Sequence, residues 1–133
     1  MPVLHIRLIP GPEGLTKIHL SNPLRSQKLQ LEYAAISKAA NGYAQNHLFI
    51  RLPFASASQI HTATRRGYLL LPTQASTTGL ETHSFGSGLP VECDHIPEVF
   101  EAQILDSTGS PLTSATNIAA IDLYFSYETH SLF

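Results

Sequence analysis

The residues that could carry chemistry in this chain are its histidines, its one cysteine and a small group of carboxylates. Seven histidines are present, and Cys93-Asp94-His95 is the tightest cluster, with His83 upstream. A structural zinc site needs four Cys or His ligands, usually from paired knuckles. Here one Cys and one His stand two apart with no second pair. On a strand such a pair would share a face, and a cupin-like metal enzyme would draw its ligands from His61, His83 or His95. The plainer reading is a polar loop before Ile96-Pro97. Glu92, Asp94, Glu98 and Glu101 are close enough in sequence for paired-carboxylate chemistry. In a chain with only ten acidic residues they read better as solvated loop charges.

Nucleophilic and phosphate-binding motifs are missing. No serine sits in a Gly-x-Ser-x-Gly elbow. Ser84-Phe-Gly-Ser-Gly88 is glycine-rich but lacks the lysine of a phosphate loop, and it reads as a flexible crossing. Asp106-Ser-Thr-Gly109 is turn chemistry. The aspartate bonds its own backbone, Gly109 supplies a positive φ, and Ser110-Pro111 ends the pairing. No catalytic, cofactor-binding or metal-ligating residue is assigned, and the expected class is a non-enzyme without cofactors.

The elements that would position such residues are strands. Period-2 alternation recurs, each run bounded by Gly, Pro or Asn. Leu4, Ile6 and Leu8 alternate with polar neighbours, as do Ile18 and Leu20, then Leu29, Leu31 and Tyr33, then Leu48, Ile50 and Leu52. Phe100, Ala102 and Ile104 form another set, and Ile121, Leu123, Phe125 and Tyr127 the last. Tyr68-Leu-Leu-Leu71 is continuously apolar, as in a strand covered on both faces or partly buried by a neighbour. A further strand is expected in Gly79-Leu-Glu-Thr-His-Ser-Phe85. Ala34 to Ala40 could form a short helix instead of continuing the third strand, and Asn41-Gly42 turns the chain. The polar stretches 55–66 and 73–97 would be end loops or crossings between sheets. Many short strands without a βαβ rhythm predict an all-β antiparallel sandwich, one domain over residues 1–133.

Composition narrows the function. The chain has 133 residues and is 43% hydrophobic, but only 14% charged. About 25% charged is usual. Either much of the surface is hidden against neighbours, or it is clothed in Ser, Thr, Asn and Gln. The formal net charge is −2, with no basic run longer than Arg65-Arg66, which argues against nucleic-acid binding. No apolar run approaches the roughly 20 residues of a membrane span. No basic region precedes an apolar stretch at the N-terminus, so no secretory signal is visible. A single cysteine excludes an intrachain disulfide.

The last alternating run also carries a candidate interface residue. Tyr124 lies on the polar face of that run with Asp122, Ser126 and Glu128. An outward Tyr there is either an anchor for a neighbouring subunit or a cross-strand neighbour that covers sheet.

Three stretches together resemble the single jelly-roll minor capsid (penton-type) proteins of small double-stranded DNA viruses, such as virophages and polinton-like viruses. They are Leu4-His-Ile-Arg-Leu8 through Ile18-His-Leu20 to Asn22-Pro23-Leu24; Lys28-Leu-Gln-Leu-Glu-Tyr-Ala-Ala-Ile36 with Leu48-Phe-Ile-Arg-Leu-Pro53; and Phe100-Glu-Ala-Gln-Ile-Leu-Asp-Ser-Thr-Gly-Ser-Pro-Leu112 with Ile121-Asp-Leu-Tyr-Phe-Ser-Tyr-Glu128. The resemblance implies an eight-stranded single jelly roll and self-assembly into a ring, a homopentamer before a homotrimer. It also implies a virion location beside a major capsid protein. It carries no catalytic residues. A trimeric receptor- or glycan-binding sandwich, of the fibre-head or tumour-necrosis-factor-like kind, shares the same pattern and would bind through the loops 55–66 and 73–97.

Overall fold

The computed structural model describes residues 3–20, 27–38, 45–53, 55–58, 68–74, 79–93, 96–112 and 118–127. Among the described residues nine strands run in order: β1 (Val3–Leu8), β2 (Leu15–His19), β3 (Gln27–Lys38), β4 (His47–Arg51), β5 (Ala55–Ser58), β6 (Tyr68–Pro72), β7 (Gly79–Cys93), β8 (Val99–Leu105) and β9 (Ile118–Ser126). A single 3₁₀ turn, Pro12–Gly14, joins the first two.

Pairing is antiparallel throughout and nested. β1 pairs with β9, β2 with β8, β3 with β7, and β4 with β6. The chain is thus one long hairpin, closed at β4 and β6 and open at β1 and β9. Contacts of β9 with β3 and of β4 with β8 roll it into two sheets. Their strand orders are β1-β9-β3-β7-β5 and β2-β8-β4-β6. This is an all-β antiparallel sandwich with the strand order of a single jelly roll. Eight strands form the roll, and short β5 is appended to the outer edge of β7.

The core lies between the sheets. Leu4, Ile6 and Leu8 from β1 meet Ile121, Leu123 and Phe125 from β9, and across the sandwich Leu48, Ile50, Leu69, Leu71, Ala102 and Ile104; all are buried. Each large aliphatic side chain removed from water in this way contributes about 1.5–3 kcal/mol. β6 is an edge strand that keeps a one-sided pattern, with Leu69 and Leu71 buried and Leu70 half-buried. It is therefore not covered equally on both faces.

Three expectations are corrected. Ala34 to Lys38 is not helical; it is the second half of β3. The strand expected in Gly79 to Phe85 is present, but it runs on to Cys93 as β7, paired with β3, so residues 86–93 are not part of the end loop or crossing expected for 73–97. Ser84-Phe-Gly-Ser-Gly88 therefore lies within a strand. Tyr33 pairs with Ser84 and Leu31 with Leu89, so Phe85 to Gly88 bulge opposite the single residue Glu32. Gly86 takes a φ of 42° there. Third, Tyr33 does not share the inward face of Leu29 and Leu31. On its β9 side, Gln30 pairs with Ser126 and Leu31 with Phe125, but Tyr33 with Tyr124. Glu32 is one residue too many, and an extra residue reverses the alternation beyond it. Tyr33 faces out, while Ala34, Ile36 and Lys38 face in. The expected Asn41-Gly42 turn lies outside the described residues.

The Asp106 turn has the expected chemistry. Asp106 Oδ1 accepts from Thr108 N–H at 2.9 Å, Thr108 Oγ1–H at 2.6 Å and Ser110 N–H at 3.0 Å. Gly109 has a φ of 90°. Burial pushes the carboxyl upward, but these hydrogen bonds outweigh it and hold Asp106 below its ordinary range. Pairing does not stop at Pro111, however: Leu112 N–H bonds Ile104 O at 2.9 Å, and Pro111 bridges Leu105.

Leu112 then helps to enclose Gly14. A Cβ on Gly14 would lie 2.5 Å from Ile104 O and 2.8 Å from Leu112 O, at a φ of 72°. Gly109 has a similar φ but nothing within 4 Å. Gly109→Ala is expected to cost only the left-handed backbone strain, about 1–2 kcal/mol. Gly14→Ala is expected to add an overpacking penalty of about 1–3 kcal/mol to that strain. Urea unfolding of both variants checks the order; equal losses would contradict the enclosure of Gly14.

Candidate functional site

Two polar constellations are built by the bulge in β3, one on each face of its sheet. On the outer face, β9 lies between β1 and β3, and the register brings His5, Tyr124 and Tyr33 into one row. The His5 and Tyr124 rings are stacked, 4.5 Å apart and 4° from parallel. Tyr33 and Tyr124 centroids are 5.8 Å apart with a 56° tilt. Such ring pairs contribute about 0.5–1.5 kcal/mol beyond area. One row along, Asp122 receives His5 Nε2 at 2.8 Å and Arg7 Nη1 at 3.3 Å. In the other direction Ser126 Oγ–H donates to Glu32 Oε2 at 2.6 Å.

The face expected to be simply polar is therefore largely covered by its own cross-strand partners. Asp122 and Ser126 are buried and Tyr124 is half-buried. Tyr33 keeps 38% of its surface, and Val3 and Ile9, outward on and just beyond edge strand β1, keep 62% and 56%. Glu128 lies outside the described residues.

On the inner face the same reversal sends Lys38 into the sandwich. Ile36 pairs with Glu81 on β7, and Ala34 pairs with His83, so these two also point inward while Leu80 points to solvent. Lys38 Nζ lies 2.5 Å from Glu81 Oε1, with the lysine side chain fully buried and the carboxylate 6% exposed. His83 Nε2 bonds Glu81 Oε2. The cluster also reaches the opposite sheet. Gln74, just past β6, donates its N–H to both carboxylate oxygens at 3.0 and 2.9 Å, and its carbonyl accepts from Lys38 Nζ. Burial raises the Glu81 pKa, but hydrogen bonds from Lys38, His83 and Gln74, with the lysine's charge, outweigh it and hold the carboxyl below its ordinary value of 4.5.

The ion pair thus grips one peptide group from both ends. A strand end that has left its ladder still needs partners for its N–H and C=O. Here side chains of the other sheet supply them. Nearby, Thr73 N–H bonds Asn46 O at 2.9 Å, and Ser107 N–H bonds Gln45 Oε1 at 2.8 Å, which ties the ends of β4, β6 and β8 together.

The metal and carboxylate candidates from the sequence do not assemble in the described residues. His83 is committed to Glu81, Cys93 lies on β7 opposite Gln27, and Asp94, His61 and His95 fall outside those residues. No group of three metal-binding side chains occurs among the described residues. Glu92 is on β7 of one sheet and Glu101 on β8 of the other. Sequence reasoning missed Lys38 and Glu81, because simple alternation around Leu80 points Leu80 inward and Glu81 outward. Only the pairing of Ile36 with Glu81 reverses that.

The architecture thus defines the chain as a single jelly-roll β-sandwich. Comparison with protein-family models, curated proteins and solved structures returned no match.

Glu81→Gln leaves a buried ammonium without its counter-charge. It is expected to cost about 3–5 kcal/mol at neutral pH. The loss should shrink as pH falls below 4.5, where the wild type itself gives up the carboxylate. The double change Lys38→Met, Glu81→Leu should be more stable than either single change, because it removes both charges. Urea midpoints across the pH range check this; a double mutant as weak as the sum of the singles would contradict it.

Proposed function

We propose that this chain is a viral structural protein, a minor capsid subunit of the penton type that assembles as a homo-oligomeric ring. The observation that carries the reading is the nested jelly-roll pairing, in which β1 and β9 lie side by side. A fold alone does not specify function. Two further features support the reading. The three stretches that resemble minor capsid proteins fall on β1 and β2, β3 and β4, and β8 and β9, and so account for most of the roll. The chain's 14% charge suits a subunit whose surface is shared with neighbours.

In this reading the chain has no catalytic role, and its partners are further copies of itself and a neighbouring major capsid protein in the virion. A homopentamer is the favoured ring. A trimeric receptor- or glycan-binding module is the competing assignment. Of the two loop regions it relied on, most of 73–97 is strand β7, which weakens it.

Light scattering and electron microscopy of the purified chain decide between these readings. A ring of five copies is expected. A ring of three copies would favour the binding module, and a stable monomer at high concentration, with or without a capsid partner, would overturn the shell assignment. Tyr124→Ser is expected to weaken the ring at least about tenfold in dissociation constant, the effect of a roughly 1.4 kcal/mol contact. An oligomer of unchanged stability would restrict Tyr124 to covering its own sheet.

A further inference from the structure

We propose that Lys38, Glu81 and His83 form an acid-sensitive latch, which holds the end of the sandwich at Gln74 closed at neutral pH and opens it locally when Glu81 takes up a proton. The inference rests on the geometry of the cluster and is independent of the shell assignment.

The latch joins elements that share no ladder. Lys38 comes from the end of β3 and Glu81 from the start of β7, in the five-stranded sheet. Gln74 follows β6, an edge strand of the four-stranded sheet. Both carboxylate oxygens accept the Gln74 N–H, and Lys38 bonds both the carboxylate and the Gln74 carbonyl. The described charged and titratable groups facing Glu81 are Lys38 from β3 and His83 from its own strand. From β6 comes the Gln74 backbone, and across β3 the neighbouring rows on β9 hold apolar Ile121 and Ile118.

Protonation acts on every part of this grip. The neutral acid has one acceptor oxygen fewer for the Gln74 N–H and no charge to offset the fully buried ammonium. An uncompensated buried charge is strongly unfavourable, so the end of the sandwich gains by opening and hydrating Lys38. His83 has 20% of its side chain exposed and is the member nearest solvent. Its bond to Glu81 Oε2 favours the carboxylate, so it delays opening.

The sign follows from linkage. The closed form has the lower carboxyl pKa, so it binds fewer protons than the open form. The latch is fully effective above 4.5 and is lost as pH falls from there through the closed-state pKa. One proton taken up on opening gives up to about a tenfold change in the opening equilibrium per pH unit. Opening the whole roll takes up the same proton, but it must also expose the apolar interior around Ile6, Leu123 and Phe125, so the latch end opens first.

Residue-resolved hydrogen exchange on the full chain tests this, with protection factors taken from about pH 6.5 to about pH 3. The Gln74 amide is expected to lose protection by up to about tenfold per pH unit below 4.5, and to stay less protected than the Ile6 and Leu123 amides, which exchange by opening the whole roll. In Glu81→Gln the Gln74 amide should be weakly protected at every pH in the window. In His83→Ala its loss should begin at higher pH than in the wild type. The proposal is overturned if wild-type Gln74 keeps its protection throughout, or is as strongly protected as Leu123 at every pH. An unshifted onset in His83→Ala, or a wild-type pH profile in Glu81→Gln, would also overturn it. Should Glu81→Gln fail to fold, the wild-type and His83→Ala series decides.

Discussion

One surplus residue in β3 governs both faces of the larger sheet. A strand alternates its side chains strictly, so an extra residue sends everything beyond it to the opposite face. Glu32 is that residue, and it is accommodated by bonding Ser126 on β9 while four residues of β7 bulge past it. Were β3 to alternate without that irregularity, Tyr33 would lie among the aliphatic side chains and Lys38 would stand in water. With it, Tyr33 completes an aromatic row with Tyr124 and His5, and Lys38 enters the sandwich to meet Glu81. The two polar constellations of this protein are thus consequences of a single local irregularity, of the kind that sheets use to re-aim side chains.

The nested pairing sets the second constraint. β9 is the last strand in sequence yet sits between β1 and β3. It therefore buries Ile121, Leu123 and Phe125 and pairs along both edges, so both of its faces are largely covered. Contacts between partners more than a hundred residues apart must wait for a large loop closure, so this topology folds slowly compared with local hairpins. It also leaves β1 at an edge with Val3 and Ile9 exposed. Among the described outward-facing groups of that sheet, Asp122 holds His5 and Arg7 and Glu32 holds Ser126. A surface whose charges are neutralised from within is compatible with close approach of a neighbour, since few charges would then lose their hydration without a partner.

Much of the architecture was legible in the residue pattern. Alternation at Leu4 to Leu8, Leu48 to Leu52, Phe100 to Ile104 and Ile121 to Phe125 determined strands and inward faces, because burial on one side imposes a period of two. Asp106 and Gly109 determined their turn, because its bonds close within five residues. The alternation was blind wherever register mattered. It extended the inward face to Tyr33, left the faces of the strand at 79–85 unassigned, and read the rest of 73–97 as end loop or crossing. In each case the answer lay with a strand far away in sequence. The pairing of Leu31 with both Phe125 and Leu89 placed the bulge, and the pairing of Ile36 with Glu81 turned the latter inward. Local pattern determines what a segment can become. Which face a side chain takes beyond an irregularity, and which charge it meets there, is decided only when distant strands come into register.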